Sequence, residues 1–265
     1  MRNLKICLDP GHDKGYNPSP CGFGYAEGTK MFFFATMLKA ALEKYGIEVV
    51  LTRRRVEDNP DLFQRAQYGE GCDVLLSLHS NAVGDNVNES VDYVRVYYPI
   101  SGKEKELASA LTDTIAEVMD TRQAPQYLTR INSNGTADYY GIIRHSATLG
   151  VPALILEHSF HTNSRSTKWL MSDANLMRLA TAEAKTIASH YGLKMIKEES
   201  EVRYNTLADL KAAPNSQHYL PTVEKLIAKG YLNGKGGSGD DLILDFSEDS
   251  IRILVTLDRA GAYGE

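Results

Sequence analysis

Residues 4–13 read Leu4-Lys5-Ile6-Cys7-Leu8-Asp9-Pro10-Gly11-His12-Asp13. A short apolar run closed by Pro and Gly is a buried strand ending in a turn, and a histidine stands where that turn opens. Farther on, Met31, Phe34, Met37, Leu38, Ala41 and Leu42 recur at three- and four-residue steps and Gly46 follows, which predicts a helix with its stop over 27–45. Residues 47–52 form a second expected strand, 60–70 a short helix opened by Pro60, and 73–78 a third strand. The rhythm continues with a strand at 92–98, a helix at 103–119, a strand at 153–156 and a helix at 173–190. This alternation predicts an α/β fold with a twisted, mostly parallel sheet and helices on both faces. Residues 121–141 are polar and turn-rich and read as a loop.

The chain has 265 residues, 43% of them hydrophobic and 24% charged, enough for one α/β domain of about 200 residues and a small appendage. The charged stretch Lys197-Glu198-Glu199-Ser200-Glu201 marks a linker at about 196–202. It separates a domain at 1–195 from a small helical unit at 203–265, with helices expected at 219–229 and 248–260 around a glycine-rich loop. The net charge of −5 argues against a partner held by bulk positive charge, whether nucleic acid or an anionic membrane surface. No run approaches the roughly 18 apolar residues of a membrane-spanning helix, so no membrane insertion is expected. The opening residues lack the apolar core and cleavage site of a signal peptide, and Cys7, Cys21 and Cys72 show neither disulfide nor CxxC spacing. Both features point to synthesis in a cytoplasm. Gly22, Gly24 and Gly28 make GxGxxxG, one residue too long for a dinucleotide fingerprint.

Ligands of open α/β sheets gather beyond the carboxyl ends of the strands. The sequence puts His12 after the first strand, His79 after the third, Glu157 at the end of the strand from 153, and Glu27 at the start of the long helix. Two imidazoles and a carboxylate suit Zn²⁺ and leave a fourth position for water, whose proton a further carboxylate could take. Plainer readings stand beside these: a turn at 9–12, a hydrogen-bonded core histidine at 79, and at 27 an acid favoured by the helix dipole. Arg65 and Arg144 either hold substrate oxygens through a guanidinium fork or tie loops to the sheet. Strand alternation turns His158 away from Glu157, and with His161 it reads as structural.

The segments LDPGHD at 8–13, LTR at 51–53, Leu62 with Arg65, SLHSNA at 77–82, and LEHSF with HTN across 156–163 occur together with Glu27 in one order and spacing. In these the chain resembles the zinc-dependent N-acetylmuramoyl-L-alanine amidases of the amidase-3 type, over about residues 4–191. The resemblance implies His12, Glu27 and His79 as zinc ligands and Glu157 as the catalytic carboxylate. It implies peptidoglycan as substrate, cut between the lactyl group of N-acetylmuramic acid and L-alanine. Ser159 stands where that family commonly has glycine. The tail from Tyr219 is weakly similar to surface-layer-homology units, which implies binding to a cell-wall polymer, with homo-oligomer formation as the second reading. The build resembles phage endolysins, released from the host cytoplasm to the wall; an autolysin is the other setting. A zinc carboxypeptidase or other amidohydrolase on wall peptides, and a non-catalytic wall-binding protein, are the alternative functions.

Overall fold

The run that opens the sequence becomes β1 (Lys5–Pro10), buried from Ile6 onward because it lies inside a sheet covered on both faces. A computed structural model describes residues 3–195 and 202–264. Contacts divide the chain into two units, Met1–Ile196 and Lys197–Glu265. Of the expected linker, residues 196–201 lie outside the described residues.

In the first unit β1 is followed by α1 (Glu27–Glu43), β2 (Glu48–Leu51), α2 (Leu62–Tyr68), β3 (Val74–Asn81), β4 (Arg95–Tyr97), α3 (Lys105–Met119), β5 (Gln126–Leu128), α4 (Gly141–Thr148), β6 (Ala153–Phe160), α5 (Ser164–Met171) and α6 (Asp173–His190). The six strands lie in the order β2-β1-β3-β6-β4-β5. All neighbours are parallel except β4 and β6, which run antiparallel. The α/β sheet with helices on both faces is thus present, and it is mixed at one edge.

Strand alternation sorts the core. Cys7, Leu75, Ile155 and Tyr97 face Ala66 of α2 and Ile142 and Ile143 of α4. The intervening positions, Ile6, Leu8, Leu76, Leu78 and Leu156, are buried on the other face, where α1 packs on β1 and β3 and against α6. A helix sandwiched between sheet and helix needs apolar surface on more than one side, hence the run Phe32-Phe33-Phe34. Asp61, rather than Pro60, starts α2: its side chain accepts from the Gln64 amide in a reciprocal capping box. The expected loop at 121–141 contains β5, a three-residue edge strand too short to show a period, and leads directly into α4.

The second unit corrects the expectation of a purely helical module. It contains an antiparallel pair, β7 (Arg203–Thr206) with β8 (Ile243–Ser247), beside α7 (Leu207–Ala212), α8 (Ser216–Ala228) and α9 (Glu248–Arg259). Tyr204, Leu210, Val223, Leu244 and Ile251 close a small core of its own. The strands escape notice in the sequence because β7 shows only one buried residue, Tyr204.

One polar contact spans the α6 face. His158 Nε2 and Glu183 Oε1 lie 2.9 Å apart, both side chains fully buried, while His158 Nδ1 lies 2.9 Å from the carbonyl of His79. Breaking such a pair strands a buried charge, so Glu183→Ala is expected to lower the unfolding free energy of the first unit by about 3–5 kcal/mol. Denaturant titration of the full chain checks this.

Candidate metal centre and catalytic carboxylate

The centre forms where β1 and β3 end beside the start of α1. The Gly11 amide donates to the Leu78 carbonyl at 2.9 Å, so the turn after β1 stays against β3. Gly11 has no side chain for a steric reason: a Cβ there would stand 2.2 Å from Cε1 of the His79 ring. His12 follows in the left-handed region at φ 60, an uncommon conformation for a residue with a side chain. Glu27 opens α1 yet is only 1% exposed. A Cβ on the neighbouring Gly28 would lie 1.8 Å from the Asp13 carbonyl oxygen, so the helix start is pressed against the loop that carries His12.

Three of the residues expected to ligate a metal converge. Candidate donor atoms of His12, Glu27 and His79 all lie within 4.8 Å of one another, as in no other group of the described residues. Glu27 bridges the two imidazoles, Oε1 standing 2.9 Å from His79 Nδ1 and Oε2 standing 3.5 Å from His12 Nε2. Tetrahedral zinc with bonds of about 2.1 Å separates its ligands by about 3.4 Å, so the set fits such an ion with small adjustment.

A second layer fixes the orientation of these groups. The Ser80 amide donates to Glu27 Oε1 at 3.0 Å, and Asn17 Nδ2 donates to Oε2 at 2.7 Å. Behind His79, Nε2 lies 3.2 Å from Ser77 Oγ, which in turn donates to Asp9 Oδ2 at 2.6 Å. Asp9 also accepts from Thr52 Oγ1 and from Arg65. Ser77 therefore has its lone pairs free for an Nε2 proton, which leaves Nδ1 of His79 as the nitrogen that faces Glu27. Tyr16 stacks on the His12 ring at 4.5 Å and 15° and remains half exposed.

The two glutamates feel opposite fields. Burial alone would raise Glu27, but the His79 hydrogen bond and the two imidazoles outweigh it and bring the carboxyl down to about 2. Burial likewise disfavours a charged His79, yet Glu27 lifts it to about 9. The cluster holds positive charge against Glu27, and metal binding there would release a proton. Glu157 pairs in register with His79 across β3 and β6. Burial pushes it up to about 7, with the Glu27 charge adding to the shift and His79 opposing it, and its Oε2 is buried with no hydrogen-bond partner. A carboxylate tuned toward neutrality is suited to proton transfer.

The two candidate arginines make local contacts. Arg65 is buried and donates to Asp9, to the Pro10 and His12 carbonyls and to the Pro60 carbonyl, which ties α2 to the β1 turn. Arg144 donates to the carbonyls of Asp138 and Tyr139. Both fit the loop-tying alternative. His158 faces α6, as alternation requires, and His161 bonds Ser80 and stacks on Tyr25. Ser159 takes φ 57, the conformation that favours glycine, and its hydroxyl donates to Asp92. Asn17, Ser77 and Asp9 were invisible as site residues because nothing in their spacing links them to His79 or Glu27. Arg95, in register with Glu157 across β6 and β4, was missed for the same reason.

Gly11→Ala is expected to push the His79 ring aside and weaken divalent-metal binding by about 10- to 100-fold, the size of effect seen when ligand orientation is lost. Chelator competition on the full chain measures it.

The family model described as N-acetylmuramoyl-L-alanine amidase, Amidase_3, matches residues 6–189. The chain is 28% identical over 193 residues to the N-acetylmuramoyl-L-alanine amidase CwlM of Bacillus licheniformis, covering 72% of this chain and 70% of that protein. Among solved structures it is similar to Cwp6 from Clostridium difficile, with a TM-score of 0.62 and 24% identity over 74% of this chain, although it spans only 30% of that longer chain. It is also similar to the catalytic domain of CwlV from Bacillus (Paenibacillus) polymyxa var. colistinus, with a TM-score of 0.60 and 21% identity over 72% of this chain and 99% of that one. The match to the family model spans most of the chain and every residue of the centre, and the chain belongs to the Amidase_3 family of N-acetylmuramoyl-L-alanine amidases.

Proposed function

We propose that the first unit is a zinc-dependent hydrolase that cuts the amide between N-acetylmuramic acid and L-alanine in peptidoglycan. The observation that carries this reading is the convergence of His12, Glu27 and His79, with the unpartnered carboxylate of Glu157 in register beside His79. His12, Glu27 and His79 would hold the ion. When bound, zinc supplies a water of lowered pKa and polarises a carbonyl. Glu157 would take a proton from the attacking water and return it to the leaving amine. Asn17 and the Ser80 amide hold Glu27 in place, and the Asp9–Ser77 pair holds the His79 ring, so the centre is preorganised before substrate arrives. A zinc carboxypeptidase would use similar ligands but leave the sugar–peptide amide intact.

The second unit, in this reading, binds a cell-wall polymer and keeps the enzyme on its insoluble substrate; lysis of a bacterial wall is the outcome. Among the described residues no helix is long and apolar enough to cross a membrane.

Glu157→Gln is expected to retain zinc while cleavage falls between about a hundredfold and ten-thousandfold. Release of muropeptides carrying a free L-alanine amine, followed by mass spectrometry with metal analysis of the same sample, checks both. In the wild type, kcat/KM should fall at acid pH with a midpoint at or below about pH 7, because only the ionised Glu157 accepts a proton. A chelator should stop wall clearing and added zinc restore it; clearing that ignores both contradicts the assignment.

A further inference from the structure

His79, Glu157 and Arg95 form a row across three adjacent strands, since His79 pairs with Glu157 and Glu157 with Arg95. Directly paired residues point to the same face of a sheet, so the guanidinium stands beside the carboxylate assigned to proton transfer. Its surroundings are unusual for an arginine. The guanidinium lies over the rings of Tyr93 and Tyr97, 4.9 and 5.9 Å from their centroids. Nε and Nη2 both donate to one neutral oxygen, Gln126 Oε1, at 3.1 and 2.8 Å, and the tyrosine hydroxyls accept further hydrogen bonds. Among the described residues no carboxylate forms an ion pair with it. A half-buried cation is thus locked in one orientation, with its fork resting on an amide oxygen that a carboxylate would replace favourably.

Neighbouring strands are about 4.8 Å apart, so Arg95 lies one such step beyond Glu157 and about 10 Å from the strand of His79. An extended peptide advances about 3.3–3.6 Å per residue, which puts the second stem residue about 7 Å past the amide being cut. The glycan next to that amide is uncharged, whereas the second stem residue is D-glutamate linked through its side chain, with an α-carboxylate that is either free or amidated. We propose that Arg95, oriented by Tyr93, Tyr97 and Gln126, binds this α-carboxylate and makes the enzyme selective for stems in which it is free. The inference rests on the amidase reading above.

The test compares muramoyl tripeptides that differ only in D-glutamate or D-isoglutamine at the second position, with full-length zinc-loaded enzyme. The wild type should favour the acid form in kcat/KM by about tenfold, in the range of one charge-assisted hydrogen-bonded contact. In Arg95→Gln the acid-to-amide ratio should fall to near one, and Arg95→Lys, which keeps the charge without the fork, should lie between. A residue that acted only on Glu157 or on stability would change both substrates together and leave the ratio alone. A wild-type ratio near one, or a ratio that survives Arg95→Gln, overturns the assignment. Failure of the wild type to cleave either compound would instead overturn the amidase reading, and this one with it.

Discussion

A carboxylate that is 1% exposed cannot stay charged unless cations or donors surround it, and the first unit is arranged to satisfy this demand at Glu27. Two imidazoles, an asparagine amide and a backbone amide, from the loop after β1 and from the end of β3, reach its two oxygens. Each partner is held in turn. The Gly11 turn packs on the His79 ring, the left-handed His12 swings its imidazole toward α1, and Arg65 ties α2 to the carbonyls of Pro10 and His12. The same demand is what a divalent ion would meet, its charge replacing the proton that Glu27 now holds on His79.

The contrast between Glu27 and Glu157 shows how one site gives two glutamates different chemistry. Loss of solvent alone raises each. Glu27 gains hydrogen bonds from imidazole, amide and backbone and is brought to about 2; Glu157 has no such partner at Oε2 and stays at about 7. One group is fixed as an anion and the other is poised to exchange a proton, an assignment by environment and not by residue type. Arg95, in register with Glu157, places a cation beside the second group without pairing with it.

Much of this was readable from residues in order. Long periodic elements such as α1 and α6 and the buried strands β1 and β3 carry their signal locally, and strand ends in an α/β sheet announce where polar residues matter. His12, Glu27, His79 and Glu157 could be picked out for that reason, with a family resemblance to join them. Three kinds of feature could not. The edge strand β5 is three residues long, too short for a period, and β7 buries a single residue. The supporting shell of Asn17, Ser77 and Asp9 depends on tertiary contacts between residues up to 68 positions apart. Whether Arg65 and Arg144 hold substrate or tie loops turns on their contacts, with backbone carbonyls and, for Arg65, with Asp9, which only coordinates reveal; Arg95 was overlooked because its neighbour Glu157 lies 62 positions away and meets it only through strand pairing.

The account depends on one ion shared by His12, Glu27 and His79. Anomalous diffraction at the zinc edge from crystals of the full chain grown with zinc tests it most directly. A single strong peak about 2.0–2.2 Å from a nitrogen of each histidine and an oxygen of Glu27, with His79 bound through Nδ1, is the result the structure calls for. A map with no peak there, or with zinc seated at other residues, contradicts it.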